Sequence, residues 1–133
     1  ERQVGLYRAA LMRAGKPFPL ELPMMREICV AESRAAAVRL ARPHLEQKYR
    51  AYVQWGQHRA LPRDDDMTQA FDDLLRDRFI LGDPSECAAE IQRCIAATGA
   101  PTMLFRVHWP GMPHETVTRA MRLLAEKVRP HFR

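Results

Sequence analysis

Cysteine is scarce, with only Cys29, Cys87 and Cys94 in 133 residues and no CxxC pair. An odd count excludes a complete disulfide framework. Cys87 and Cys94 are seven residues apart on one predicted helix, roughly 10 Å along its axis and too far to bridge. Each has apolar neighbours, so buried packing in a reduced, cytoplasmic setting is expected. No apolar run approaches the ~20 residues of a membrane span. Glu1 is not an initiator Met, and no basic-then-apolar targeting pattern follows it, so a soluble piece of a longer chain is expected. Glycine is also scarce, and no Gly-rich phosphate loop or serine elbow is present. The five histidines, at 44, 58, 108, 114 and 131, lack zinc-enzyme spacing, so no metal is expected. There is no basic block either. The 21 Lys and Arg and 16 acids are interspersed, giving +5 overall, so no nucleic-acid or membrane partner is expected.

What is present is the composition of one globular domain, 47% hydrophobic and 28% charged. Val4, Tyr7 and Leu11 repeat at helical spacing over Gln3–Ala14, and Gly15 stops that helix. Met24–Ala31 is apolar, with β-branched Ile28 and Val30, and reads as a buried strand. Ser33 caps a helix through Ala36, Ala37 and Leu40 that Pro43 is expected to kink or restart. Its continuation from His44 ends at Gly56, and Gln57–Arg63 reads as irregular. Asp64-Asp65-Asp66 suggests metal at first sight. Three consecutive carboxylates cannot face one ion from a regular element, and Asp66-Met67-Thr68-Gln69 fits a capping box opening a helix through Phe71, Leu74 and Leu75.

The last third is the most informative. Phe79-Ile80-Leu81 is a short strand followed by Gly82. Asp83-Pro84-Ser85-Glu86 caps a helix that buries Ile91 and Ile95 and closes at Gly99. Thr102–Trp109 is the next strand, Pro110-Gly111-Met112-Pro113 a tight loop, and Glu115–Arg129 the last helix, stopped by Pro130. This strand–helix alternation predicts an α/β fold with parallel strands.

Ligands of parallel α/β folds sit beyond the C-terminal ends of the strands. That rule selects Ala31, Glu32 and Ser33, then Gly82, Asp83 and Ser85, then His108, Trp109, Gly111 and Met112, with Arg106 just inside the strand. The helix start at Asp83 exposes N–H groups able to hold a phosphate, although Asp83 itself would repel one. By alternation Arg106 and His108 share one strand face, opposite Phe105, Val107 and Trp109. That polar pair either points into a pocket mouth or pairs with acids and snorkels at the strand end.

Phe79-Ile80-Leu81-Gly82-Asp83-Pro84-Ser85-Glu86, then Ala97-Thr98-Gly99, then Pro110-Gly111-Met112, then Met121–Phe132 resemble in order and spacing the C-terminal end of the luciferase-like flavin-dependent monooxygenases and reductases. Arg26–Ser33 with its Ala-rich helix, and Tyr49, Tyr52, Trp55 and Gly56, extend the resemblance over nearly the whole chain. It implies that residues 1–133 supply roughly the last three strands of a (β/α)8 TIM barrel, which needs about 250 residues to close. It further implies reduced FMN or a deazaflavin and a small-molecule substrate in the full-length protein, with no cofactor held tightly by this segment and no activity of the segment alone. Arg106, His108, Trp109, Gly111 and Met112 would lie near flavin or substrate. Gly82, Asp83 and Ser85 would lie near a phosphate, although Asp83 replaces the family's usual small hydroxyl residue. A free-standing α/β binding or interaction module without catalysis is the alternative. An open barrel segment is expected to self-associate through its strand edges or rearrange its helices to cover them.

Overall fold

The computed structural model describes residues 2–61, 66–76 and 78–132. Three short parallel strands, β1 (Met24–Val30), β2 (Phe79–Gly82) and β3 (Met103–Arg106), form one sheet in the order β2-β1-β3. β1 pairs with β2 through Glu27–Val30 and with β3 through Met24–Glu27. Three successive barrel strands would lie in chain order. Here the first strand is central.

The helices are α1 (Arg2–Arg13), α2 (Arg34–Gln54), α3 (Phe71–Leu74), α4 (Pro84–Thr98) and α5 (His114–Leu123). Side chains alternate across a strand, and each face of this sheet has its own helical cover. Cys29, Phe79 and Leu81 pack on one side with Ala37, Ala41 and Leu45 of α2. Ile28, Val30 and Ile80 pack on the other with Cys87, Ala88 and Ile91 of α4. α5 touches the first core through Val117, and Val128 beyond it closes the second. The small alanines of α2 allow its backbone to approach the sheet closely. α1 buries no residue and leaves Leu6, Tyr7 and Met12 exposed.

Several expectations change. α2 runs through Pro43 without a break. The missing N–H costs one helical bond, but buried Ala41 and Leu45 anchor the helix on both sides of it. Asp66 opens no helix. Its carboxylate accepts from the Thr68 N–H and hydroxyl, both at 2.7 Å, forming a local turn. α3 starts only at Phe71, after Ala70, which supplies no side-chain cap. Asp64 and Asp65 lie outside the described residues. Gln57–Ala60 forms a 3-10 turn. β3 ends at Arg106, three residues short of the predicted strand, as the chain leaves the sheet and buries Trp109 against α2. The last helix widens to a π turn over Leu124–Val128 and tightens to a 3-10 turn over Arg129–Phe132, with Pro130 inside it.

The capping of α4 forms as read, with Ile91 buried and Ile95 partly so. Asp83 accepts from the Ser85 and Glu86 N–H groups, and Glu86 Oε2 accepts from the Asp83 N–H at 2.9 Å. This box folds tightly over Gly82, where an added Cβ would lie 2.8 Å from both Glu86 Cβ and Oε2. Gly82→Ala therefore forces the strand end and the helix start apart. A loss of about 1–3 kcal/mol is expected from such overpacking, read as a lower urea midpoint. A wild-type midpoint would mean that the strand–helix junction is looser than described.

Candidate functional site

The loops after the three strands come together at one end of the sheet. The Ala31 N–H donates to the Gly82 carbonyl at 3.0 Å, joining the ends of β1 and β2. Helix side chains secure each loop. Arg34 donates to the Leu81 carbonyl at 3.0 Å, and Arg119 pairs with Glu32 at 3.5 Å. His44 Nδ1 lies 3.1 Å from the Pro110 carbonyl. Ser33 is spent on its own helix, its hydroxyl accepting from the Ala36 N–H at 3.2 Å.

The start of α4 is already filled. Asp83 Oδ1 accepts from the Ser85 N–H at 2.8 Å, the Ser85 hydroxyl at 2.7 Å and the Glu86 N–H at 2.9 Å. The Ser85 hydroxyl and these N–H bonds hold the Asp83 carboxyl below its usual range, so it stays anionic there. A phosphate would have to displace that charge, and Gly82 is closed off by Glu86. The N–H groups of Asp83, Ser85 and Glu86 are thus all engaged within the cap.

The residues expected together after β3 separate by burial. Trp109 is 0% exposed and Met112 is buried with it in the α2 core. His108 is exposed beyond the strand end. Gly111, at φ 79°, follows Pro110 in a turn closed by the Met112 N–H on the Trp109 carbonyl at 3.1 Å. Arg106 turns to a carboxylate, lying 3.7 Å from Glu27 Oε1 with its other guanidinium nitrogen 3.7 Å from Met25 Sδ, and it donates to the Tyr52 hydroxyl at 3.4 Å.

That carboxylate belongs to a charged cluster the sequence reading missed. Glu27 forms an ion pair with Lys48 of α2, the two side chains being only 12% and 8% exposed. The Lys48 ammonium also lies 5.1 Å from the Tyr52 ring and 5.9 Å from Tyr49. Burial, and then the positive charge of Arg106, push the Lys48 amine down to about 8. Glu27 Oε2 is buried without a hydrogen-bond partner among the described residues. A Glu inside an apolar strand, with a Lys between aromatic positions of a packed helix, was the available signal.

Two cavities accompany these residues. An apolar groove of about 570 Å³ lies among Ile91, Met103, Phe105, Met121, Leu124 and Phe132. A more polar one of about 990 Å³, at the opposite end of the strands, includes Tyr7, Met24, Glu27, Tyr49, Arg76 and Arg78. The cysteines are all buried, and burial raises Cys29 to about 11 and Cys87 to about 12, so both stay thiols at neutral pH. Among the described residues no group of three or more His, Cys, Asp or Glu side chains could hold a metal ion. Among the described residues no helix is long and apolar enough to cross a membrane.

The α/β chain with its parallel three-stranded sheet is similar in fold to solved monooxygenases. The monooxygenase RslO1 from Streptomyces bottropensis is similar over 99% of this chain, with a TM-score of 0.73 and 26% identity. The oxygenating constituent of 3,6-diketocamphane monooxygenase from the CAM plasmid of Pseudomonas putida, a type II Baeyer-Villiger monooxygenase solved with FMN, is similar over 97% of it. Its TM-score is 0.67 and its identity 18%. The chain spans only 37% and 38% of the lengths of these two proteins. No protein-family model and no curated protein matches the sequence.

Proposed function

We propose that this chain is the C-terminal part of a flavin-dependent luciferase-like monooxygenase or oxidoreductase, using FMN or a deazaflavin, whose complete fold is a (β/α)8 barrel. The likeness to RslO1 over 99% of the chain carries the reading. The resemblance of the Gly82–Glu86 and Pro110–Met112 segments to that family supports it. At the start of α4 the backbone donors are taken by Asp83. Ring and phosphate would be held by other parts of the longer protein. When bound, the flavin would supply oxygen insertion or hydride transfer. The 133-residue chain alone is then inactive.

Surface left open by the chain agrees with this. Among the described residues β3 pairs only with β1, Leu104 on it is 49% exposed, and α1 presents Leu6 and Met12 to solvent. Alone, the chain self-associates through that edge, which light scattering after size exclusion would show. A dilution-resistant monomer would count against it.

The second reading, a free-standing α/β module, is favoured by one observation: helices cover both faces of the sheet. Extending the reading frame upstream of Glu1 separates the two. Further strand–helix units, and flavin fluorescence quenched by the longer chain but not by residues 1–133, are expected. A longer chain that binds neither FMN nor a deazaflavin would sink the monooxygenase reading.

A further inference from the structure

Trp109-Pro110-Gly111-Met112 has the residues and geometry of a type II turn, with Pro in its second position and Gly at φ 79° in its third. The Met112 N–H closes the turn on the Trp109 carbonyl. That bond leaves the Pro110 carbonyl without a partner inside the turn. His44, 66 residues earlier on α2, meets it at 3.1 Å through Nδ1. A carbonyl only accepts, so Nδ1 must carry the proton, which fixes the ring tautomer whenever His44 is neutral. The ring also packs on the turn, since a Cβ added at Gly111 would lie 3.6 Å from Nδ1. Trp109 and Met112 are buried in the α2 core on either side of this contact, while His108 just before it is exposed.

We propose that His44 is a positioning residue: as an Nδ1–H donor to the Pro110 carbonyl, it locks the turn after β3 to α2 and so presets the direction in which His108 and the loop face solvent. The lock stands on the geometry alone. Its consequence for substrate binding rests on the monooxygenase reading.

The test uses the 133-residue chain in a Trp55→Phe background, where Trp109 is the only tryptophan. Losing one net hydrogen bond predicts roughly two- to tenfold faster exchange of the Met112 amide in His44→Ala. Acrylamide should quench Trp109 more readily as well. His44→Asn, whose amide can donate from a similar place, should restore both readings. In the wild type, ring nitrogen shifts of the neutral imidazole should show Nδ1 protonated and Nε2 bare. An unprotonated Nδ1 in the neutral ring overturns the proposal even if His44→Ala fails to fold, as does unchanged exchange in that variant or no rescue by Asn. In the longer enzyme, His44→Ala should raise KM more than it lowers kcat. If the longer wild-type chain binds no flavin, the monooxygenase reading fails while the loop measurements still decide the lock.

Discussion

Trp109→Ala should cost about 3–5 kcal/mol of folding stability, the loss for emptying a large buried aromatic site. A domain of this size has only about 5–15 kcal/mol to lose. The indole is fully buried between the α2 alanines and the strand-end residues, so the cavity would open at the junction of β1, β2 and α2. Urea unfolding followed by far-UV circular dichroism measures the loss without relying on tryptophan fluorescence. Trp109→Phe should fall well short of it. Phe keeps much of the packing and removes an indole N–H that has no hydrogen-bond partner among the described residues. Trp55 is the internal control. It is 70% exposed, and its replacement by Ala should move stability by no more than about 0.5 kcal/mol. Equal effects at the two positions would show that Trp109 is not the anchor of this core.

Glu27→Ala should be nearly as damaging, for an electrostatic reason. It leaves the Lys48 ammonium buried beside Arg106 with no carboxylate, and breaking a buried pair this way costs about 3–5 kcal/mol. Replacing both partners, as Glu27→Leu with Lys48→Met, removes the charges together and should recover most of that loss. Arg106→Ala should cost under about 1 kcal/mol, because its side chain is 41% exposed and water screens the pair.

Lys48 also predicts a pH dependence whose sign can be stated. The folded chain releases the Lys48 proton near 8, whereas the unfolded chain holds it to 10.5. Between those values the unfolded state binds more protons, so this group makes unfolding free energy rise with pH. The attraction of Glu27 works in the other direction, and burial with Arg106 prevails over it. Denaturation midpoints of the wild type and Lys48→Met, compared across that window, isolate the effect. Parallel pH profiles would show that the amine is not held low.

Local features were legible in the sequence because their interactions close within a few residues. The Asp83–Glu86 capping box, the left-handed glycines at 56 and 99 that end α2 and α4, and the Pro110-Gly111 turn all form as their residue types require. The periodicity of Ile91 on α4 and the alternation of Ile28 and Val30 likewise place core faces correctly.

Tertiary structure alone decided the rest. It put β1 at the centre of the sheet and α2 on the face opposite α4. It kept α2 continuous through Pro43 and drew Trp109 out of the strand that alternation had assigned to it. It also joined Glu27 to Lys48 and His44 to Pro110. Residues so distant along the chain carry no local record of each other. Their pairing depends on how two faces of one sheet are covered, and therefore on burial summed over the whole fold. The candidate site divides along the same line: its loops were readable as strand ends, while the side chains that secure them, from α2 and α5, were not.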